Sequence, residues 1–312
     1  MRKILICLLW LTSLPGLIQA KPHSHLESVA EHPQTFLAYR LQTADTLRYC
    51  VNLVPPKNPL VSAEQVDTLV RVALREWTYG IALRIRQSGR EKEFKDIVEL
   101  LEKPLALEPV TGCAGLATNN SLPSNDTTAD IVFLISDKRC QKLRGKATSF
   151  YAPAEPGHVP FICVQDTTQA NPLRDIPAGE YIPQANSESG RQLLQNRLQV
   201  FERIATADYS TEDQQTLWQT NRFFAYDGPT LFATFMHETG HAFGLGDEYL
   251  SERPDTYASR QPGEGIMHNL YNSVTCDEIN GMITLLDRVA GRERTFQSFC
   301  KGRGLLVNGT EK

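Results

Sequence analysis

The stretch "HETGHAFGLGDEY", from His237 to Tyr249, places two of the seven histidines of the chain four residues apart. Pro229 favours the start of a helix upstream of this stretch, and mostly apolar residues follow from 231 to 236. A spacing of four puts the imidazoles of His237 and His241 on one helix face, one turn apart. Two such nitrogens form half of a tetrahedral zinc site.

The other residues of the stretch supply what a catalytic zinc site needs. Glu238, beside the first histidine, can take a proton from water that the metal activates. Gly244 can adopt the left-handed conformation that ends a helix, and the chain then turns back so that Asp247 reaches the metal. Two histidines and one carboxylate leave a fourth position for solvent, which is typical of catalytic zinc.

This stretch resembles the zinc motif of the metzincin metallopeptidases, with aspartate as third ligand as in the snapalysin type. Its "GDEY" ending is also similar to that of some bacterial immunoglobulin-A-type metallopeptidases, whose spacing differs. The resemblance implies a zinc endopeptidase that cleaves a peptide or protein substrate, with Glu238 as general base. It also implies an α+β catalytic domain, in which a twisted mixed sheet and long helices support the active-site helix and a Met-turn.

Further site residues follow from the same resemblance. In "GEGIMHN", from 263 to 269, Met267 would pack beneath the histidines without binding metal. Tyr271 or His268 could donate to the oxyanion. An extended substrate would lie beside an edge strand at Val159–Asp166, because Pro160 argues for the edge of a sheet.

Two alternatives to this interpretation remain open. A glutamate from a later helix, Glu278, could be the third ligand in place of Asp247. The chain could also be an exported, non-catalytic module that holds zinc for structure only. Glu238 argues against such a module, because a structural site has no use for a base beside an open coordination position.

The first twenty residues predict a signal peptide, since a positive start precedes an apolar run that is broken by Pro15 and Gly16. No later run reaches eighteen apolar residues, so we expect no transmembrane segment in the mature chain and a secreted or periplasmic protein. Six cysteines then remain, and export favours three disulfides. Neighbour pairing is the simplest arrangement: Cys50 with Cys113, Cys140 with Cys163, and Cys276 with Cys300.

The rest of the chain predicts one mixed domain. The net charge of -4 gives no sign of nucleic-acid binding. Apolar patterns predict strands at 46–54, 129–136, 147–152 and 159–166. Helices are predicted after Ser62, Ser189, Pro229 and Thr275, and the spacing of Thr275 and Glu278 matches a capping box. Residues 21–44 are interpreted as a leader or a strap over the fold. The catalytic domain spans 45–312, with an insertion at 167–226 and a C-terminal subdomain at 247–312.

Overall fold

The computed structural model describes most of the core of the chain, and every structural statement below refers to those residues. They include the helix that carries His237 and His241 and the turn at Met267. The predicted signal peptide and Asp247 lie outside them. The described ranges are 36–53, 63–103, 106–110, 128–136, 149–153, 159–165, 188–206, 209–224, 231–246, 265–267, 273–295 and residue 299.

A five-stranded sheet forms the centre of the fold. Its strands are β1 (Thr46–Leu53), β2 (Ala106–Pro109), β3 (Ile131–Ser136), β4 (Ser149–Ala152) and β5 (Phe161–Gln165). Their spatial order is β2-β1-β3-β5-β4, and only β4 runs antiparallel to its neighbour. The unbroken apolar run of β3 is buried on both faces, as a central strand requires. The chain is thus a mixed α/β protein, which confirms the expected class in this coarse form.

The prediction that Val159–Asp166 forms a sheet edge is wrong. β5 lies between β3 and β4, and the described edges are β2 and β4. Pro160 precedes the first strand residue and contributes its carbonyl, which accepts a bond of 3.0 Å from the amide of Val132. Because this ladder position needs an acceptor and no donor, a proline fits it inside the sheet.

The helices follow the apolar patterns of the sequence. They are α1 (Leu37–Thr43), α2 (Ala63–Arg75), α3 (Ile81–Gln87), α4 (Lys95–Glu102), α5 (Glu188–Ala205), α6 (Thr211–Phe224), α7 (Leu231–Phe243) and α8 (Cys276–Val289). One π-helical turn, Glu76–Gly80, joins α2 to α3 without a break. No helix in the described ranges is both long and apolar enough to cross a membrane.

Helix α1 belongs to the body of the protein, although residues 21–44 were interpreted as a leader or strap. Phe36, Leu37, Ala38 and Leu41 are all buried. The side-chain amide of Gln42 donates 2.8 Å to the carbonyl of Leu286 in α8. These contacts join α1 to the rest of the described fold.

The described part of the 167–226 insertion packs on the body through a buried polar cluster. Glu76, fully buried in the π-turn, accepts bonds from Trp218 (2.6 Å) and Gln214 (3.0 Å) of α6 and contacts Arg84 at 3.2 Å. Burial raises the pKa of Glu76, and these donors act in the opposite direction. A buried carboxylate needs such partners, so the cluster attaches α6 to the long helix.

Three of the six predicted disulfide cysteines are described. Cys50, Cys163 and Cys276 are each buried and disulfide-bonded. Cys113, Cys140 and Cys300 lie outside the described residues, so the neighbour pairing stays a prediction.

Candidate metal centre

The two histidines of the motif project from the buried helix α7. The residues from Phe232 to Gly240 are all buried, and α7 packs against α2, β4 and β5. The indole nitrogen of Trp77 donates 2.7 Å to the carbonyl of Met236, one residue before the first histidine. His237 is 7% exposed and His241 is partly exposed, so the pair lies where the core meets the surface.

The imidazole rings of His237 and His241 face each other closely. Their centroids are 4.7 Å apart, their planes are perpendicular, and the two Nε2 atoms are 3.1 Å apart. The helical spacing of four residues brings about this approach, as the sequence predicts.

Hydrogen bonds at the opposite ring nitrogens fix the tautomer of both histidines. The Nδ1 atom of His237 lies 2.9 Å from the carbonyl of Ile266, and that of His241 lies 2.8 Å from the carbonyl of Leu245. A carbonyl oxygen only accepts, so each Nδ1 carries the proton and donates it. In the neutral form of each ring this leaves the lone pair on Nε2, so the two lone pairs would face each other.

This arrangement fits a divalent cation. Two lone pairs at 3.1 Å repel each other, and a cation that binds both would remove the repulsion. Two Zn–N bonds of about 2.0–2.1 Å at a tetrahedral angle span roughly 3.3 Å, close to the separation found here. The donor set, two imidazole nitrogens with their outer nitrogens bonded to carbonyls, is one that zinc prefers.

Helix α7 ends in a way that holds His241. Gly244 has a φ of 118°, a left-handed value that the sequence predicts for this glycine. The amide of Leu245 donates 3.0 Å to the carbonyl of Gly240, and the amide of Gly244 donates 2.9 Å to that of His241. These are the two bonds of a Schellman motif. The motif turns the chain back, so that the carbonyl of Leu245 reaches the ring of His241.

Glu238 follows His237 in the chain, and its side chain is buried. Only 3% of its surface is exposed, and its Oε2 has no hydrogen-bond partner within the described ranges. An unpaired buried carboxylate oxygen is costly in a folded protein, and such atoms often belong to functional sites.

A short turn, Gly265–Met267, lies against the same helix. The amide of Ile266 donates 3.0 Å to the carbonyl of Ser273 and closes the turn. Met267 is buried, and a Cβ atom built on Gly240, between the two histidines, would stand 2.3 Å from its sulfur. The methionine thus lies directly against the helix turn that carries the histidines.

Glu278 holds this turn in place. Its Oε1 accepts 3.1 Å from the amide of Met267, and its Oε2 accepts 2.7 Å from the amide of Thr275 within a capping box at the start of α8. Burial raises the pKa of Glu278, and the bonds from Thr275 and Met267 act in the opposite direction. Both oxygens are engaged with the turn and the helix start, and this geometry argues against Glu278 as a metal ligand.

The remaining predicted site residues, Asp247, His268 and Tyr271, lie outside the described residues. Among those that are described, no group of three His, Cys, Asp or Glu side chains is arranged to hold a metal ion. Sequence analysis missed one contact, the bond from Glu278 to the turn. The capping-box spacing identified this glutamate, but only the fold shows that it also reaches Met267.

The site therefore combines two imidazole rings whose Nε2 atoms face each other, a buried carboxylate on the next residue of the chain, and a turn that holds one imidazole from outside the helix. Each feature involves α7, and the turn and α8 join it from later in the chain. Comparison of the whole chain with protein-family models, with curated proteins and with solved structures gave no match to any of them.

Proposed function

We propose that this protein is a secreted, zinc-dependent endopeptidase. The observation that carries the proposal is the pair of Nε2 atoms 3.1 Å apart, on two rings whose Nδ1 atoms each bond to a backbone carbonyl. A histidine pair without a ligand would gain by turning one Nε2–H toward the other ring. The carbonyl contacts at both Nδ1 atoms instead support metal binding through Nε2.

His237 and His241 would hold the ion through Nε2, and Asp247 is the proposed third ligand. Asp247 comes one residue after Gly246, the last described residue beyond the Schellman turn. When bound, zinc would supply a Lewis acid that lowers the pKa of water and polarises a peptide carbonyl.

Glu238 would move the proton in this reaction. Its unpaired Oε2 can accept a proton from the attacking water and deliver it to the departing amine. Its burial suits this role, because a carboxylate shielded from bulk solvent does not exchange its proton with the surrounding water during the reaction.

The substrate would be an extended peptide beside β4 (Ser149–Ala152). This replaces the earlier expectation for Val159–Asp166, since β5 lies inside the sheet. β4 is an edge among the described strands, and α7 packs against it. A peptide that adds to this edge pairs through its main chain and is held whatever its side chains are.

The decisive experiment combines metal analysis with cleavage of an unfolded protein. The purified mature chain should contain one zinc ion, and a chelator should abolish cleavage until zinc is restored. Glu238→Gln should keep the zinc and lose at least about a hundredfold in kcat, the usual contribution of a general base. Glu202→Gln, which changes an exposed glutamate of α5, is the matched control and should change neither quantity.

Two ligand variants complete the test. His237→Ala and Asp247→Ala should both lose zinc together with activity. Normal zinc content in Asp247→Ala would reject that ligand, and full activity of Glu238→Gln would reject the base. Stoichiometric zinc without cleavage of any protein or peptide would instead support the non-catalytic zinc module.

A further inference from the structure

We propose that Glu278 is a positioning residue that fixes the tautomer of His237 and strengthens its binding to metal through one peptide unit, that between Ile266 and Met267. The metal-binding half of this inference rests on the proposed function. The tautomer half concerns the protein without metal and stands independently of it.

The geometry is a continuous chain of hydrogen bonds. Glu278 Oε1 accepts from the Met267 amide at 3.1 Å, and the Ile266 carbonyl of the same peptide group accepts from His237 Nδ1 at 2.9 Å. One planar amide thus has a carboxyl oxygen at its N–H end and an imidazole at its carbonyl end. The chain ends at Nε2, the atom that faces His241.

An acceptor at the N–H of an amide shifts electron density toward its carbonyl oxygen. The carbonyl of Ile266 then becomes a stronger acceptor, since hydrogen bonds in series polarise one another. A stronger bond at Nδ1 keeps the proton there and makes Nε2 a more basic ligand. Carboxyl groups often act in this way on histidines bound to zinc by direct contact, and here a peptide group stands between them.

The site is built to accommodate this carboxyl group. Glu278 is 1% exposed, and its Oε2 is anchored by the amide and hydroxyl of Thr275. A Cβ atom on Gly265 would stand only 1.6 Å from Oε1, so the chain has a glycine where any other side chain would displace the carboxyl group.

His241 provides an internal reference for the experiment. Its Nδ1 donates to the carbonyl of Leu245, four residues away, in the turn that ends its own helix. Glu278 makes its described bonds with Thr275 and Met267, on the side of His237. A change at Glu278 should therefore affect one histidine and not the other.

The test is Glu278→Gln, read by proton–nitrogen NMR of the histidine rings in zinc-free protein above the histidine pKa. His237 should hold its proton on Nδ1 in the unmodified protein and should populate both tautomers in the variant. His241 should stay on Nδ1 in both. Zinc affinity, measured by competition with a chelator, should fall at least about tenfold in the variant.

Asp287→Asn is the matched control. Asp287 is also a buried carboxylate of α8, but it forms ion pairs with Arg292 (3.2 Å) and Arg294 (2.8 Å) at the far end of the helix. This change should lower the melting temperature and leave both the His237 tautomer and the zinc affinity as they were. Equal losses of zinc affinity in the two variants would overturn the proposal.

An unchanged His237 tautomer in folded Glu278→Gln would overturn it as well. If that variant does not fold, the unmodified protein decides: a scalar coupling across the hydrogen bond from the Met267 amide to the Glu278 carboxyl carbon should be observed, and its absence contradicts the proposal. A chain that never binds zinc would refute the proposed function, while the tautomer result would still test the relay.

Discussion

The two histidines have the same chemistry but are held in different ways. His241 is partly exposed, and its ring is held by a carbonyl four residues along, in the turn that ends its own helix. His237 is buried, and its ring is held by a carbonyl 29 residues away, in a turn anchored by α8. The bond from His241 to Leu245 forms whenever α7 forms, whereas the bond from His237 to Ile266 requires the assembled domain. The proposed metal site would thus connect a local element with the C-terminal part of the fold.

The largest effect on stability should come from Gly265→Ala, which disturbs the turn that bonds His237. The new Cβ would stand 1.6 Å from Glu278 Oε1, and a buried carboxyl group would lose its bond to Met267. We expect the free energy of unfolding to fall by about 3 kcal/mol, measured by urea denaturation of zinc-free protein. A loss below about 1 kcal/mol would show that the carboxyl group can move aside without cost.

Gly240→Ala tests the contact between α7 and the turn at Met267. Alanine favours helix over glycine by about 1 kcal/mol, so an exposed site would be stabilised. Here the Cβ would lie 2.3 Å from the sulfur of Met267 and 2.8 Å from the ring of Trp77. We expect a net loss of about 2 kcal/mol in thermal or urea unfolding. Combining it with Met267→Ala should recover part of this loss, and simple additivity would contradict the contact.

Gly244→Ala disturbs only the turn that ends α7 and bonds the ring of His241. A φ of 118° is strained for alanine, and we expect a loss of about 1–2 kcal/mol in the free energy of unfolding. Gly291→Ala is the matched control, because Gly291 has a φ of 66° and ends α8 with the same pair of backbone bonds. Ring NMR should show an altered His241 tautomer in Gly244→Ala only, with His237 unchanged in both variants.

The smallest effect should come from Met267→Leu. The side chain is buried against Gly240, and leucine has nearly the same volume. We expect a loss of less than about 1.5 kcal/mol in unfolding free energy and unchanged zinc content. Loss of zinc in this variant would mean that the sulfur does more than fill space beneath the helix.

Sequence reasoning succeeded where the determining interactions are local. The spacing of His237 and His241, the helix stop at Gly244 and the capping box at Thr275 all depend on residues within one or two helical turns. The central strand β3 was also predicted, because a continuous apolar run is typical of a strand that is covered on both faces.

Sequence reasoning failed where partners are distant in the chain. The place of β5 depends on β4, which joins it from the other side, so Pro160 alone suggested the wrong edge. The bond from Glu278 to Met267 and the cluster around Glu76 join elements that no periodic pattern connects. The short strand β2 (Ala106–Pro109) is mostly exposed and shows no alternation that could have predicted it.

Helix α1 has a consequence for maturation of the chain. Its buried residues and the bond from Gln42 to the backbone of α8 make it part of the packing that supports the C-terminal helix. A protease that trimmed the precursor back to residue 45 would uncover apolar side chains. It would also weaken the packing of α8, which anchors the turn that bonds His237. We therefore expect any processing that leaves the fold intact to cut upstream of Phe36.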